Sequence, residues 1–149
     1  MTVVVDVAAE GVRLAVARER LQRLARDVLH AEHVRRAMLS VAFVTDRAIA
    51  ALNARHLGRR GPTDVISFGF AHGAPRDGLV GDIYIAPGVA ARNARAAGVG
   101  VREELARLVV HGTLHVAGWD HPDGAGRLES NMWKRQERLL ARCWFLPER

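Results

Sequence analysis

The sequence SVAFVTDRAIAALN, residues 40–53, predicts a β-strand that runs directly into a capped helix. Residues 40–44 are apolar apart from Ser40, which is typical of a strand. Thr45 supplies a side-chain oxygen that can accept a hydrogen bond from a backbone N–H group in the first turn of the helix. The helix is predicted to continue through Asn53, and the sequence GRRGP at residues 58–62 predicts a loop after it.

The remaining elements follow from hydrophobic periodicity and from turn residues on either side of this segment. Strands are predicted at residues 3–7, 64–68 and 80–85, and helices at residues 12–29, 87–98, 101–117 and 126–142. The resulting order, βαβαββααα, predicts an α+β (α/β-like) fold in which about five helices cover about four strands.

Length and composition indicate one domain spanning residues 1–149. Of the 149 residues, 49% are apolar and 26% charged, and no apolar run approaches the roughly 20 residues that a membrane-spanning helix needs. The N-terminal sequence lacks the features of a secretion signal. A single cysteine, Cys143, excludes an internal disulfide and a multi-cysteine zinc site. We therefore expect a cytoplasmic protein with no membrane partner.

Positive charge is concentrated in the N-terminal part of the chain. The whole sequence has 22 lysine and arginine residues against 16 aspartate and glutamate residues, a net charge of +6. Residues 1–60 hold eleven arginines and six acidic residues, whereas residues 61–149 are nearly balanced. Because arginine binds phosphate bidentately, this bias suits a polyanionic partner. Arginines that merely solvate exposed faces would explain the same bias equally well.

One segment, HGTLHVAGWDH at residues 111–121, contains three of the seven histidines in the sequence. His111 and His115 are four residues apart on a predicted helix, so both imidazoles lie on one face, one turn apart. Gly118 is suited to end that helix in the left-handed conformation, and the reversal can bring His121 back as a third ligand. Three neutral imidazoles leave one position of a tetrahedral zinc ion open, which is typical of catalytic sites.

The alternative interpretation places one of these histidines in the core and the others in solvent. It is favoured for any single histidine, but three within eleven residues at ligand spacing favour a metal site. The spacing is also that of metzincin proteases, whose general base is the glutamate after the first histidine. Gly112 occupies that position here and cannot accept a proton, which disfavours peptide hydrolysis by that mechanism.

Three sequence blocks together resemble the YbeY family, bacterial metal-dependent endoribonucleases linked to ribosomal RNA maturation and ribosome quality control. The blocks are the histidine motif at residues 111–121, PTDVISF at residues 62–68 and GDI at residues 81–83. They occur in the order found in the family, and the resemblance extends over residues 41–133. It implies one zinc ion per chain on His111, His115 and His121, a small mixed sheet covered by helices, and cleavage of single-stranded RNA.

The same resemblance implies the partners and the catalytic cation. The expected partners are single-stranded RNA, above all ribosomal RNA, and the ribosome or its proteins; a monomer is expected. Many family members carry a functional arginine directly before the glycine that is Gly58 here, whereas this chain has Leu57. We assign the catalytic role to Arg59, with Arg55 and Arg60 as substrate-binding residues.

The remaining candidates are polar residues near the three blocks. Thr63 and Ser67 are expected to line the groove and bind substrate, by analogy with the family. Asp120 is assigned as a catalytic residue that orients a ligand histidine by accepting its second N–H, with general-base catalysis as the alternative. For Asp64 and Asp82, at strand starts, hydrogen bonding in turns is at least as good an explanation.

The predicted chemistry is hydrolysis of RNA phosphodiesters, assisted by a metal ion and by arginines that neutralise charge in the transition state. Attack by hydroxide and attack by the 2′-hydroxyl of the RNA both remain open. Two other functions are weighed against this one. The first is a metalloprotease-like or other metallohydrolase, and the second is a non-catalytic ribosome-binding factor that zinc only stabilises.

Overall fold

A computed structural model describes residues 2–71, 78–121, 126 and 130–145. Its strands are β1 (Thr2–Ala9), β2 (Arg36–Phe43), β3 (Val65–Ala71) and β4 (Leu79–Ile85). Its α-helices are α1 (Arg18–Ala31), α2 (Asp46–Leu57), α3 (Pro87–Ala97), α4 (Val101–Val116) and α5 (Asn131–Leu140), and a π-helical segment, Ala141–Phe145, follows α5. The predicted element order and fold class are confirmed.

The four strands form one mixed sheet in the order β1-β2-β4-β3. Strand β2 is parallel to both of its neighbours, β1 and β4, whereas β3 is antiparallel to β4 and lies at the edge. In the last pair, Val65 lies opposite Ile85 and Ser67 opposite Ile83. The N-terminal end of β3 therefore lies beside the C-terminal end of β4.

Both faces of the sheet contribute to hydrophobic packing because side chains alternate along each strand. Leu39 and Val41 of β2 belong to the main core, together with residues of α1, α4 and α5. Ala42 points to the opposite face and packs in a smaller cluster with Ile49 of α2 and Ile66 of β3. The main core thus lies on one face of the sheet, whereas α2 contributes Ile49 to a small cluster on the other face, where Val4 and Met38 stay exposed.

Helix α4 is the central helix, and it contacts α1, α3, α5, β3 and β4. Two glycines allow it to lie close to the sheet. A Cβ atom on Gly112 would be 2.8 Å from Cγ2 of Ile83, and a Cβ atom on Gly81 would be 2.5 Å from Cγ1 of Val116. Since carbon atoms do not approach this closely without contact strain, a larger residue at either position would push the helix away from the sheet.

Two helices begin later than hydrophobic periodicity predicted. The helix expected from residue 12 begins at Arg18, because Gly11 has a φ of +73° and Ala17 is still extended. The buried Val16 packs in the core from this non-helical segment rather than from a helical turn. The helix expected from residue 126 begins at Asn131, where the Ser130 hydroxyl accepts a hydrogen bond from the Trp133 backbone N–H at 3.1 Å.

Within the described ranges, the structure has no helix that is both long enough and apolar enough to cross a membrane.

Candidate metal centre and adjoining cleft

Three histidines converge at the C-terminal end of α4. His111 is buried, and His115 and His121 are partly buried. The centroids of their rings are 4.6, 4.8 and 5.0 Å apart, and one ligand nitrogen from each ring lies within 4.8 Å of the other two. This convergence is what the sequence motif predicted, and its size suits a single metal ion.

The turn after α4 brings the third imidazole into place. The Gly118 N–H donates to the His115 carbonyl at 3.0 Å, and the Trp119 N–H donates to the Leu114 carbonyl at 2.9 Å. Gly118 has a φ of +107°, a conformation that side-chain-bearing residues rarely adopt. The predicted role of Gly118 in ending the helix is confirmed, and the reversed chain then places His121 against the other two histidines.

Hydrogen bonds at the far side of two rings fix which nitrogen faces the centre. The His115 Nδ1–H donates to the Trp119 carbonyl oxygen at 3.0 Å, and a carbonyl can only accept. The His111 Nδ1 lies 2.7 Å from Oε1 of Gln136, whose Nε2 donates to the Glu137 carboxylate at 3.0 Å. Because the carboxylate fixes the orientation of the amide, His111 must also donate from Nδ1. Both rings are therefore held in the Nδ1–H tautomer, in which Nε2 is the nitrogen that can ligate a metal ion.

Gln136 is a functional residue that sequence reasoning missed. It lies on α5, 25 positions from His111, and is 1% exposed. A weak signal for it exists, since Gln136 falls on the buried face of α5 together with Met132 and Leu140. A polar side chain on an otherwise apolar helix face needs a hydrogen-bond partner, and here that partner is a predicted metal ligand.

Arg107 links Gln136 to a cluster of carboxylates on α4 and α5. Its guanidinium donates to Glu137 at 2.9 and 3.1 Å, to Glu104 at 3.0 Å and to Glu103 at 2.8 Å. Burial acts to lower the pKa of Arg107, but its hydrogen bonds to the three glutamates raise it above the ordinary value. Burial also raises the pKa of the Glu104 carboxyl, and Arg107 opposes that rise. The network holds the Glu137 carboxylate that orients the Gln136 amide.

A cleft of about 290 Å³ adjoins the three histidines. Besides them, it is lined by Leu57, Arg59 and the residues from Thr63 to Ser67. The loop that carries Arg59 is anchored by the buried Asn53, whose amide Nδ2 donates to the Gly61 carbonyl at 2.9 Å. The Asn53 carbonyl in turn accepts from the Arg59 backbone N–H at 3.3 Å. These two hydrogen bonds hold the C-terminal end of α2 against the loop that carries Arg59.

A family model described as Endoribonuclease YbeY matches residues 6–143, which is most of the chain. The chain belongs to the YbeY family. Among its curated relatives, the Endoribonuclease YbeY of Thermobifida fusca is 41% identical over 145 residues, covering 92% of each chain. The Endoribonuclease YbeY of Syntrophotalea carbinolica is 37% identical and covers 85% of this chain and 87% of the relative. A protein from Thermotoga maritima, solved in solution, superposes with a TM-score of 0.68 at 26% identity, covering 95% of this chain and 90% of the other.

Within this YbeY-family chain, the structure brings three of the predicted substrate-site residues together with the histidines. Arg59, Thr63 and Ser67 all line the cleft. Arg55 and Arg60 are exposed, and neither is among the described residues that line the cleft. Leu57 lines the cleft at the position where many family members have arginine. Arg59 is thus the arginine of this loop that lines the same cleft as the histidines, while its catalytic role stays a prediction.

The structure shows where the candidate aspartates lie. Asp120 is exposed, while the Nδ1 atoms of His111 and His115 bond to Gln136 and to the Trp119 carbonyl, so the role of Asp120 stays a prediction. Trp119 donates from its indole N–H to Glu32 at 2.7 Å and packs against the core. Asp64 lines the cleft, whereas Asp82 is not among the cleft's described lining residues.

Proposed function

We propose that this protein is a zinc-dependent endoribonuclease that cleaves single-stranded RNA during ribosomal RNA maturation and ribosome quality control in the cytoplasm. The observation that supports it most directly is the convergence of three imidazoles, two of them oriented through Nδ1, beside an open cleft that holds Arg59. Membership in a family of endoribonucleases supplies RNA as the substrate class. Ribosomal RNA and the ribosome are assigned on the family resemblance.

His111, His115 and His121 would hold the metal ion, and an all-imidazole donor set suits zinc or another late divalent ion. A divalent ion held there supplies Lewis acidity that draws electron density from a phosphate oxygen of the substrate. The partial burial of the site strengthens this electrostatic effect, because fewer waters compete for the same charges.

The cleft residues act on the phosphodiester itself. The Arg59 guanidinium can donate two parallel hydrogen bonds to the phosphate and neutralise the charge that builds up as the P–O bond breaks. The Thr63 and Ser67 hydroxyls can donate to the same phosphate or to the ribose. Arg55 and Arg60, exposed just outside the cleft, are placed to bind flanking phosphates of the strand.

The test is cleavage of a single-stranded RNA by zinc-loaded, RNase-free protein, with the same sequence as a duplex for comparison. We expect cleavage of the single strand, its loss in His115→Ala, and unchanged cleavage in His30→Ala, which removes an exposed histidine of α1. Circular dichroism of His115→Ala separates two functions, because a zinc-stabilised binding factor predicts an unfolded variant and a catalytic site predicts a folded one. Intact single-stranded RNA with the wild-type protein would rule out the proposed activity.

The product ends identify the nucleophile. A 2′,3′-cyclic phosphate shows attack by the adjacent 2′-hydroxyl of the RNA, whereas a free 3′-hydroxyl or a linear phosphate from the first turnover shows attack by water. Replacing the 2′-hydroxyl at the cut position by hydrogen gives the same answer independently, since only the first mechanism is then blocked.

A further inference from the structure

A second cavity, of about 420 Å³, lies beside the metal cleft and shares two residues with it. The shared residues are Asp64 and His111, so the two spaces are separated by the histidine that carries the Gln136 hydrogen bond. We call this space the α3–α5 cavity, because its walls come from α3, α4, α5 and the residue before β3. The mechanism proposed above makes no use of it, although its volume falls within the range of small-molecule sites, about 300–1,000 Å³.

The walls of the α3–α5 cavity combine apolar surface with carboxylates. Trp133, Leu108 and Val99 provide the apolar surface. Trp133 is partly buried at the start of α5, where its backbone N–H is held by the Ser130 hydroxyl. An indole in a partly open cavity offers a flat face on which a planar heterocycle can stack.

The charges in this cavity oppose a phosphate but suit a hydrogen-bond donor. Arg107 lines the cavity, yet its guanidinium already donates to Glu103, Glu104 and Glu137. Glu104 also lines the cavity, and its side chain is largely buried. Among the described contacts, its Oε1 accepts the hydrogen bond from Arg107. An ionised carboxyl group only accepts hydrogen bonds and has several acceptor positions. A ligand with N–H groups would satisfy the remaining ones.

From this juxtaposition we infer that the α3–α5 cavity binds one base of the RNA strand, next to the cleaved phosphate, and favours bases with an exocyclic amino group. The inference rests on the proposed function, since a phosphate in the histidine cleft places the attached nucleoside beside the shared wall. Trp133 stacks on the base, and Glu104 accepts from its amino group. Cytosine presents an amino group where uracil presents a carbonyl oxygen, so the cavity discriminates between two bases of the same size.

The first experiment maps the cleavage sites in a single-stranded RNA pool of random sequence by sequencing the product ends. At one of the two positions flanking the cut, we expect cytosine to be favoured over uracil about ten-fold, the discrimination of one good hydrogen-bond pair. In Glu104→Gln the preference should fall towards one, because an amide can donate to uracil as well as accept from cytosine. Glu103→Gln is the matched control: Glu103 also pairs with Arg107, at 2.8 Å, but does not line the cavity, so this variant should keep the preference.

The second experiment measures nucleoside binding without any reaction. Cytidine and uridine are titrated separately into the isotope-labelled protein, and the indole N–H signal of Trp133, assigned from Trp133→Phe, is followed by NMR. Cytidine should shift this signal at concentrations where uridine does not. Glu104→Gln should abolish the difference, and Glu103→Gln should retain it.

The two experiments separate failure of the cavity assignment from failure of the proposed function. Cleavage with no base preference at either flanking position would overturn the cavity assignment and leave the endoribonuclease intact. Equal loss of cytosine and uracil cleavage in Glu104→Gln would also overturn it, because it would show a merely structural role. If the wild-type protein leaves single-stranded RNA intact, the proposed function is refuted. The cavity assignment is refuted separately if cytidine and uridine shift the Trp133 signal equally, or if neither shifts it.

Discussion

The hydrogen bond between Gln136 and His111 offers a sharp test of how the histidines are oriented. Gln136→Met removes the acceptor but keeps a side chain of similar length on the buried face of α5. Without metal, His111 can move its proton from Nδ1 to Nε2, and this limits the loss of folding stability. Metal binding requires a free Nε2, so the bound protein is left with a buried Nδ1–H that lacks its 2.7 Å partner.

The cost of that unpaired N–H is about 1–3 kcal/mol. Such a cost corresponds to a zinc affinity roughly 10- to 100-fold lower, which is also the usual effect of removing a group that orients a metal ligand. The affinity is measured by competition with a chromophoric chelator at fixed pH, and the free energy of unfolding is measured separately in the presence of a strong chelator.

Met132→Leu is the matched control for this prediction. Met132 is as buried as Gln136 and lies one turn earlier on the same face of α5, but it makes no hydrogen bond to a histidine among the described contacts. The Met132→Leu variant should keep wild-type zinc affinity. Wild-type affinity in Gln136→Met, or an equal loss in Met132→Leu, would refute the argument that the amide orients His111.

Three further predictions concern packing, the carboxylate network and catalysis. Gly112→Ala should lower the free energy of unfolding by about 1–3 kcal/mol, seen in denaturant titrations, because its Cβ would lie 2.8 Å from Ile83. Arg107→Met should destabilise the protein by about 2 kcal/mol near pH 7 and by less near roughly pH 4. Burial already raises the pKa of Glu104, and loss of Arg107 raises it further, so the stability lost grows as pH rises through that pKa. Arg59→Ala should lower kcat/KM for RNA cleavage by about 100-fold with zinc affinity unchanged.

Each of these predictions has its own control. Gly100→Ala should cost clearly less in the same titrations, because its Cβ would meet open space and only the N-cap preference for glycine over alanine is lost. For Arg107→Met, an equal loss of stability at both pH values would contradict the role of carboxylate ionisation. Arg60→Ala should weaken RNA binding mainly at low salt, as expected for an exposed phosphate contact. A similar salt-dependent effect in Arg59→Ala would remove the case for a catalytic arginine in the cleft.

Local sequence signals predicted the elements and the histidine cluster because their determinants are close in the chain. The Thr45 side chain accepts from the Ala48 N–H at 3.1 Å, and this contact spans only three residues. His111, His115 and His121 are likewise set by one helix and one turn. At the start of α1 the prediction was wrong by six residues, because apolar periodicity continues through the non-helical segment that precedes Arg18.

The parts that were not predicted depend on contacts between distant segments. Nothing near Gln136 in the sequence indicates that its amide meets a histidine 25 positions earlier, since that meeting depends on how α5 packs on α4. The position of Arg59 in the cleft has the same origin, because the loop is held by Asn53 at the end of α2. The strand order of the sheet also depends on long-range packing, and the family resemblance implied only that the sheet would be mixed and small.

The packing of Gly112 connects the fold to the type of chemistry. From the sequence alone, Gly112 showed only that the general base of the metzincin proteases is missing here. The structure adds a physical reason, because α4 lies so close to Ile83 that even a methyl group would clash. A glutamate at this position would therefore require α4 to move away from β4. Helix α4 also contacts β3, whose N-terminal residues line the cleft together with the histidines, so this movement would change the cleft as well. The close helix–sheet contact at Gly112 leaves no room for a protease-type base at that position, which agrees with the proposed electrostatic stabilisation of a substrate that is already charged.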